Sequence, residues 1–275
     1  MSPDTLSLAG KVALVTGSGR RNGLGAGIAK AFARNGASVA IHYVSEKSRA
    51  GAEKLAADIA NEYGSKTTVV QGLVGNPDTA RSIVEQTLKG LETDHVDILI
   101  NNAGGAGTAQ NIIEVTREDI DQEFGLNVFG VIYMTQAVVG VGKMPKGGRI
   151  VNVGSITSKT CSSGVSLYNA AKSAQDSLTA GLASDASSYT CPPYDKVPLL
   201  TKIRPIPTDA SAPFLTNPDG TPNPIGNSMA ALSRAEDRLG TVEDMADAAL
   251  LLVSEKSRWI TAQWISVSGG VVATM

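Results

Sequence analysis

Val12-Ala13-Leu14-Val15-Thr16-Gly17-Ser18-Gly19-Arg20-Arg21-Asn22-Gly23-Leu24-Gly25 runs from a short apolar stretch through a glycine-rich turn into an amphipathic segment. The four apolar residues show no polar alternation, as in a strand buried on both faces. Glycines let the following turn reverse sharply. They also let backbone N–H groups approach an anion at the positive end of the next helix. A glycine cluster alone also fits a flexible loop. With a strand before it and a helix after it, the cluster predicts a dinucleotide pyrophosphate as ligand.

Outward from this turn the rhythm repeats. Apolar runs predict strands over 12–16, 39–43, 67–71, 96–100, 150–153 and 264–267. Amphipathic stretches between them predict helices over 24–35, 47–62, 78–91, 117–139, 167–184 and 242–254. Continuous apolar strands alternating with helices imply an α/β fold, a doubly wound parallel sheet of about seven strands covered on both faces. Gly36 follows the first helix as a C′ glycine should, and Thr241 precedes Val242-Glu243-Asp244 as an N-cap before first-turn acids. No linker interrupts residues 1–275, which read as one domain.

Composition narrows the function classes. With 42% apolar and 18% charged residues, the chain is not of disordered type. A net charge of −2 offers no basic stripe, so nucleic acid is not an expected partner. Residues 1–10 lack a basic region and an apolar core, which predicts no secretory leader. No run is long and apolar enough for a membrane span, and a cytoplasmic protein is expected. Cys161 and Cys191 are the two cysteines, and His42 and His95 the two histidines. Neither a disulfide framework nor a metal site is expected from them.

One segment departs from the pattern. Nine of the twelve prolines fall between Pro192 and Pro224. That density excludes a long helix or central strand over most of the segment. Residues 189–240 therefore read as an atypical surface stretch, expected to act as a substrate lid after the helix before it.

That helix and the strand ahead of it carry the chemistry. Tyr168 and Lys172 stand four positions apart, on one helical face, and Ser155 lies just past Ile150-Val151-Asn152-Val153. Strand ends are where open α/β sheets place ligands. Phenol, ammonium and hydroxyl together suit redox exchange between a carbonyl and an alcohol. Lowering a phenol's pKa by about three units takes roughly 4 kcal/mol. An ammonium about 4 Å away supplies that at an effective dielectric of about 20. Lys172 is therefore expected to bring Tyr168 into the range of a general acid/base.

The second strand selects the nucleotide. It ends His42-Tyr43-Val44-Ser45, with no acid before Glu46. An acid there would bind the ribose 2′-hydroxyl of NAD, and its absence removes repulsion against a 2′-phosphate. Ser45 and Ser48 can donate to such a phosphate, and Arg20 or Arg21 can offer a planar fork. NADP(H) is the expected cofactor. Equal affinity for NADH and NADPH would contradict this.

Together these motifs resemble the short-chain dehydrogenase/reductase family, along nearly the whole chain. Asn101-Asn102-Ala103-Gly104 follows the fourth strand, and Asn127 sits in Gly125-Leu126-Asn127-Val128. Ser155, Tyr168 and Lys172 stand in the family's order, and Ile260 to Gly270 resembles its last strand. Within the family the chain is most similar to fungal relatives of 3-oxoacyl-carrier-protein reductase and of naphthol reductases. The resemblance implies a Rossmann-type fold and makes Asn127, Ser155, Tyr168 and Lys172 the catalytic set. It gives Lys172 a hold on the nicotinamide ribose and has Asn127 anchor a water that relays protons. It implies cofactor contacts from Gly17, Ser18, Arg20, Arg21, Asn22, Gly23, Leu24, Tyr43, Ser45, Leu73 and Val74. Further contacts are implied from Asn102, Ala103, Gly104, Tyr168, Lys172, Pro205, Ile206 and Thr208. A homotetramer or homodimer follows from the last strand.

The chain also departs from the family pattern. Five residues separate Gly17 from Gly23, two more than usual. Leu73 replaces an adenine-binding aspartate. Leu199-Leu200-Thr201-Lys202-Ile203-Arg204-Pro205-Ile206-Pro207 stands where a strand and a Pro-Gly pair are usual. Ile206, β-branched, resists the positive φ open to glycine, so the backbone there is expected to differ. The substrate side, Ala106, Gly107, Thr108, Ile156, Thr157 and Cys161, is small or apolar. It suits a neutral, cyclic or polyketide-like ketone. The alternative is an enzyme of this fold that keeps NADP but performs cyclisation, isomerisation or dehydration.

Overall fold

The computed structural model describes residues 6–107, 111–187, 194–196, 199–202, 206–209 and 211–271. Its first strand, β1 (Val12–Val15), leads through the glycine turn into α1 (Leu24–Arg34). Leu24, Ile28 and Phe32 recur every fourth residue along α1 and are buried. Each such side chain contributes about 1.5–3 kcal/mol by leaving water. Then come β2 (Ser38–Tyr43), α2 (Glu46–Tyr63), β3 (Thr67–Gln71), α3 (Pro77–Leu91) and β4 (Ile98–Asn101). Asn76 caps α3 by accepting from the amides of Asp78 and Thr79, ahead of Pro77 in the first turn.

The stretch expected to be one helix over 117–139 is built in three parts. These are α4 (Arg117–Phe124), a π-helical turn (Gly125–Phe129) and α5 (Gly130–Gly140). Periodicity could not reveal the extra residue in the middle turn, because the apolar pattern resumes on both sides of it. The fully buried β5 (Gly148–Ser155) follows, then α6 (Thr157–Thr160) and the long α7 (Ser166–Ser187).

Beyond α7 the elements are short: β6 (Tyr194–Lys196), β7 (Leu199–Lys202), α8 (Ala212–Leu215) and α9 (Pro224–Ala231). The chain then returns to α10 (Val242–Val253) and β8 (Trp264–Val267). The proline-free window 199–202 thus supplies a central strand inside the proline-rich segment.

The strands pair in parallel in the order β3-β2-β1-β4-β5-β7-β8, and β6 pairs with β5 beside this path. Alternation along β1 divides the core. Ala13 and Val15 face the layer of α1, α2 and α10, while Val12 and Leu14 face that of α3 and α5. Because β1 pairs with β2 on one side and β4 on the other, the strand order reverses at β1. A crevice opens there at the strands' C-terminal ends. Lower down, Asn101 Nδ2 donates to Asn152 Oδ1 at 2.9 Å, and Asn152 Nδ2 donates to Thr179 Oγ1 at 2.8 Å. Buried side chains thereby bolt β4 to β5 and β5 to α7.

Candidate active site

The glycine turn is pinned from both sides. Gly17 has φ +64°, and a Cβ on it would lie 2.8 Å from the Ala103 Cα, so only glycine fits. Its amide donates to His42 Nδ1 at 2.8 Å. The amides of Ser18 and Gly19 donate to the His42 carbonyl at 3.1 and 3.0 Å. Ser18 Oγ donates to the Val15 carbonyl at 2.7 Å and accepts from the His42 amide at 2.9 Å. From β4, Asn102 Nδ2 donates to the carbonyls of Thr16 and Gly17 at 2.8 and 3.2 Å. Thr16 Oγ1 accepts from the amides of Asn102 and Ala103 at 3.0 and 2.9 Å.

His42 is fully buried. With Nδ1 accepting from Gly17, the proton sits on Nε2, which donates to the Gly72 carbonyl at 2.9 Å. Burial lowers its pKa to about 4, only partly opposed by that carbonyl, so the ring is neutral over the physiological range. The sequence offered no sign of this role, since His42 reads as one more residue of an apolar strand.

At the mouth of α1 the N-cap is Gly23, which makes no side-chain cap. Just before it, the Asn22 amide and Nδ2 donate to the Asp209 carboxylate at 3.4 and 3.1 Å. A carboxylate from the 206–209 stretch thus reaches the entrance of the helix, where an anion is favoured. Residues from both sides, Arg21, Asn22, Lys30, Pro207, Thr216 and Thr241 among them, line a cleft of about 450 Å³.

The other expected cofactor residues are distributed around this crevice. Arg20 and Arg21 are exposed on the turn, and Arg21 approaches Asp58 of α2 at 3.8 Å. Leu24 opens α1 and is buried. Tyr43 is buried at the end of β2, while Ser45 holds the N-cap position of α2 with its Oγ 3.3 Å from Ser48 Oγ. Leu73 is 51% exposed and Val74 is buried beside it. Ala103 and Gly104 follow β4 into the site, and a Cβ on Gly104 would meet Asn127 Oδ1 at 2.9 Å and Lys172 Nζ at 3.4 Å.

Ile206 packs into the α1/α10 core layer and is not among the residues with positive φ. Its backbone therefore differs from one a glycine would need, as its branched side chain requires. Its carbonyl accepts from Ser211 Oγ at 2.5 Å, and the buried Thr208 donates its amide to that oxygen at 3.0 Å. Pro205, Arg204 and Thr108 lie outside the described residues.

Ser155, Tyr168, Lys172 and Asn127 converge at the end of β5. Ser155 closes that strand, and its Oγ accepts from Thr157 N and Oγ1 at 3.3 and 3.0 Å. Lys172, one turn beyond Tyr168 on α7, has its Nζ 5.8 Å from the phenol ring centroid. That ammonium donates to the Val153 carbonyl at 3.0 Å and to Gln175 Oε1 at 2.8 Å. Gln175, buried, also reaches Val153 O at 3.4 Å, a role visible in the sequence only as its spacing of three from Lys172.

The expected depression of the Tyr168 pKa is corrected by this geometry. Burial pushes the phenol above its ordinary value of 10.0, a hydrogen bond with Ser155 opposes the rise, and the nearby charge of Glu123 adds to it. Depth of burial, with Glu123 nearby, therefore sets the direction of the shift.

Asn127 lies in the π-helical turn and is buried. Its Nδ2 donates to the Gly105 carbonyl at 3.0 Å, the Glu123 carbonyl at 3.0 Å and Glu123 Oε1 at 2.6 Å. Its Oδ1 accepts from the Gly105 amide at 3.3 Å. Of the residues expected to line the substrate, Gly107 is tied to Glu123, Ile156 and Thr157 begin the turn after β5, and Cys161 is exposed. Among the described residues, no group of His, Cys, Asp or Glu is arranged to hold a metal ion, and no helix is long and apolar enough to cross a membrane.

A crevice at the strand reversal and a Ser–Tyr–Lys–Asn cluster beside it define a nucleotide-dependent oxidoreductase. A family model for short chain dehydrogenase matches residues 11–195. The versicolorin reductase stcU of Emericella nidulans is 31% identical over 98% of this chain and 98% of its own. The crystal structure of a blue fluorescent protein from a metagenomic library, in complex with NADPH, superposes with TM-score 0.82 at 31% identity. It covers 97% of this chain and 100% of that one. Landomycin C-6 ketoreductase LanV, with bound NADP and rabelomycin, gives TM-score 0.79 at 28% identity over 96% and 97% of the two chains. The chain belongs to the short-chain dehydrogenase family.

The residues present fit a dinucleotide. The Gly17 position would be filled by any Cβ, the α1 mouth is without a side-chain cap, and a carboxylate oxygen already lies against the Asn22 amide.

Proposed function

We propose that this chain is an NADP(H)-dependent oxidoreductase that interconverts a ketone and a secondary alcohol, with Tyr168 as general acid/base. The observation that carries this reading is the convergence of Ser155, Tyr168, Lys172 and Asn127 at the end of β5, beside the crevice at β1 and β4. The cofactor, when bound, supplies the hydride. The Ser155 hydroxyl hydrogen-bonds the carbonyl oxygen and orients it. Tyr168 holds its proton on the phenolic oxygen, where burial keeps it, and releases it to that oxygen as negative charge develops there. Lys172, fixed by Val153 and Gln175, places a positive charge beside the ring. A phenol held protonated suits reduction at neutral pH better than oxidation.

The preference for NADP(H) rests on a β2 end without an acid, on Ser45 and Ser48 at the start of α2, and on the exposed Arg20 and Arg21. The complexes of similar proteins with NADPH and NADP support it. The small or apolar side chains of Gly107, Ile156 and Thr157, with a versicolorin reductase and a ketoreductase among the similar proteins, favour a neutral, cyclic or polyketide-like ketone. Segment 189–240, of which 189–193, 197–198, 203–205 and 210 lie outside the described residues, would close over it as a lid, and β8 would join subunits in a homo-oligomer.

The test is NADPH oxidation with a panel of neutral cyclic ketones. Tyr168→Phe is expected to lower turnover about 10²–10⁴-fold while NADPH still binds; unchanged turnover would overturn the assignment. Product formed without stoichiometric NADPH consumption would instead identify a cyclase, isomerase or dehydratase.

A further inference from the structure

Glu123 is a buried carboxylate that the proposed reaction does not use. It lies on α4, one turn before Asn127, and is 7% exposed. Both oxygens are engaged, Oε1 accepting from Asn127 Nδ2 at 2.6 Å and Oε2 from the Gly107 amide at 2.8 Å. Its backbone carbonyl accepts from the same Asn127 amide group at 3.0 Å. Through Asn127 it is linked to both the carbonyl and the amide of Gly105. One carboxylate therefore ties the stretch after β4 to the π-helical turn.

We propose that Glu123 is a positioning residue of the active centre: its carboxylate fixes the orientation of Asn127 and the backbone of 105–107, and sets a negative charge beside Tyr168 and Lys172. The proposal rests on the reading of that cluster as the reaction centre. A carboxylate accepts at both oxygens, so Asn127 must present Nδ2 to it, leaving Oδ1 toward Gly105 and Gly104. A carboxamide at 123 could satisfy only one of the two donors.

The titratable groups facing Glu123 are Tyr168 and Lys172 of α7, and the stretch 105–107 offers only backbone. On α4 itself, Arg117, Glu118 and Asp121 are exposed, and Asp119 caps the helix at Thr116. Burial raises the Glu123 pKa, while the Gly107 amide and then Lys172 oppose the rise. When ionised, the carboxylate repels a phenolate at Tyr168 and favours its protonated form.

Two measurements test this. In Glu123→Leu, hydrogen exchange at the 105–107 amides of the full chain is expected to quicken about tenfold, as befits loss of one buried acceptor. In Glu123→Gln, the pH midpoint of alcohol oxidation is expected to fall by about one pH unit, because removing a nearby negative charge eases phenol ionisation. A role in folding alone would lower kcat and leave that midpoint in place. Unaltered exchange in the leucine variant overturns the proposal, as does an unmoved midpoint in the glutamine variant. Should the leucine variant fail to fold, exchange is read in the glutamine variant. If wild-type protein reduces no ketone while exchange still quickens, the ketone reading has failed and the positioning role stands.

Discussion

The glycine turn and the stretch from 206 to 232 face each other across the same crevice, yet they hold themselves differently. In the turn, polar groups from Thr16 to Gly19 find partners far away in sequence, on His42, Ile100 and Asn102. In the later stretch most bonds are local, as between Ser211 and Ile206, Asn217 and Thr221, or Gly226 and Asn223. Its reach back to the turn, Asn22 to Asp209, is exposed. Long-range bonds between elements open with larger units of the fold, whereas local ones open singly. On the proposed function, one wall would place the cofactor and the other would adjust to the substrate.

Glycines at positive φ give the strongest way to break this contrast. Gly17 and Gly220 have φ of +64° and +85°, but a Cβ on Gly17 would strike the Ala103 backbone while one on Gly220 would meet open space. Alanine at either costs about 1–2 kcal/mol for the left-handed conformation. Gly17→Ala should lose clearly more, together with NADPH affinity, in thermal melts and titrations. Equal losses at both positions would erase the distinction.

Acid should act on the rigid wall next. His42 has its pKa lowered from 6.5 to about 4, so between these values the unfolded chain binds more protons than the folded one. Its contribution is present in full above about pH 6.5 and lost as pH falls toward 4, on the order of 3 kcal/mol in all. Urea unfolding of wild type and His42→Asn at stepped pH should show their stability gap narrowing over that window. A gap constant with pH would mean that the ring titrates normally.

The smallest effect belongs to the adjustable wall. Asp209→Asn should change stability by no more than about 0.5 kcal/mol, as for other surface changes. It should also strengthen NADPH binding by removing a negative charge from the mouth of α1. A loss as large as that of Gly17→Ala would show the Asn22–Asp209 contact to be part of the rigid fold.

Much of this was legible in the residues. Strands buried on both faces, the glycine turn and the helical spacing of Tyr168 and Lys172 are local patterns, and they fall where the periodicities predict. What escaped depends on contacts between distant segments. His42 lies in a predicted strand, and nothing local to the sequence marks Glu123 or Gln175. Only the fold reveals that each points at the site. The π-helical turn escaped because an inserted residue leaves no mark on the apolar pattern around it. The direction of the Tyr168 shift escapes because spacing shows neither how deeply the phenol is buried nor that Glu123 stands near it.

The Asn101–Asn152–Thr179 chain bears on how this sheet is assembled. In the native register Asn101 stands beside Asn152, and each amide finds its partner. A slip of one residue between β4 and β5 would send Asn152 to the opposite face, stranding polar groups among apolar ones. Each stranded group costs about 1–3 kcal/mol. The apolar residues 98–100 and 150–151 alone would tolerate several alignments. Two asparagines and a threonine thus act as a register mark, favouring the alignment that sets Asn102 and Ser155 at neighbouring strand ends.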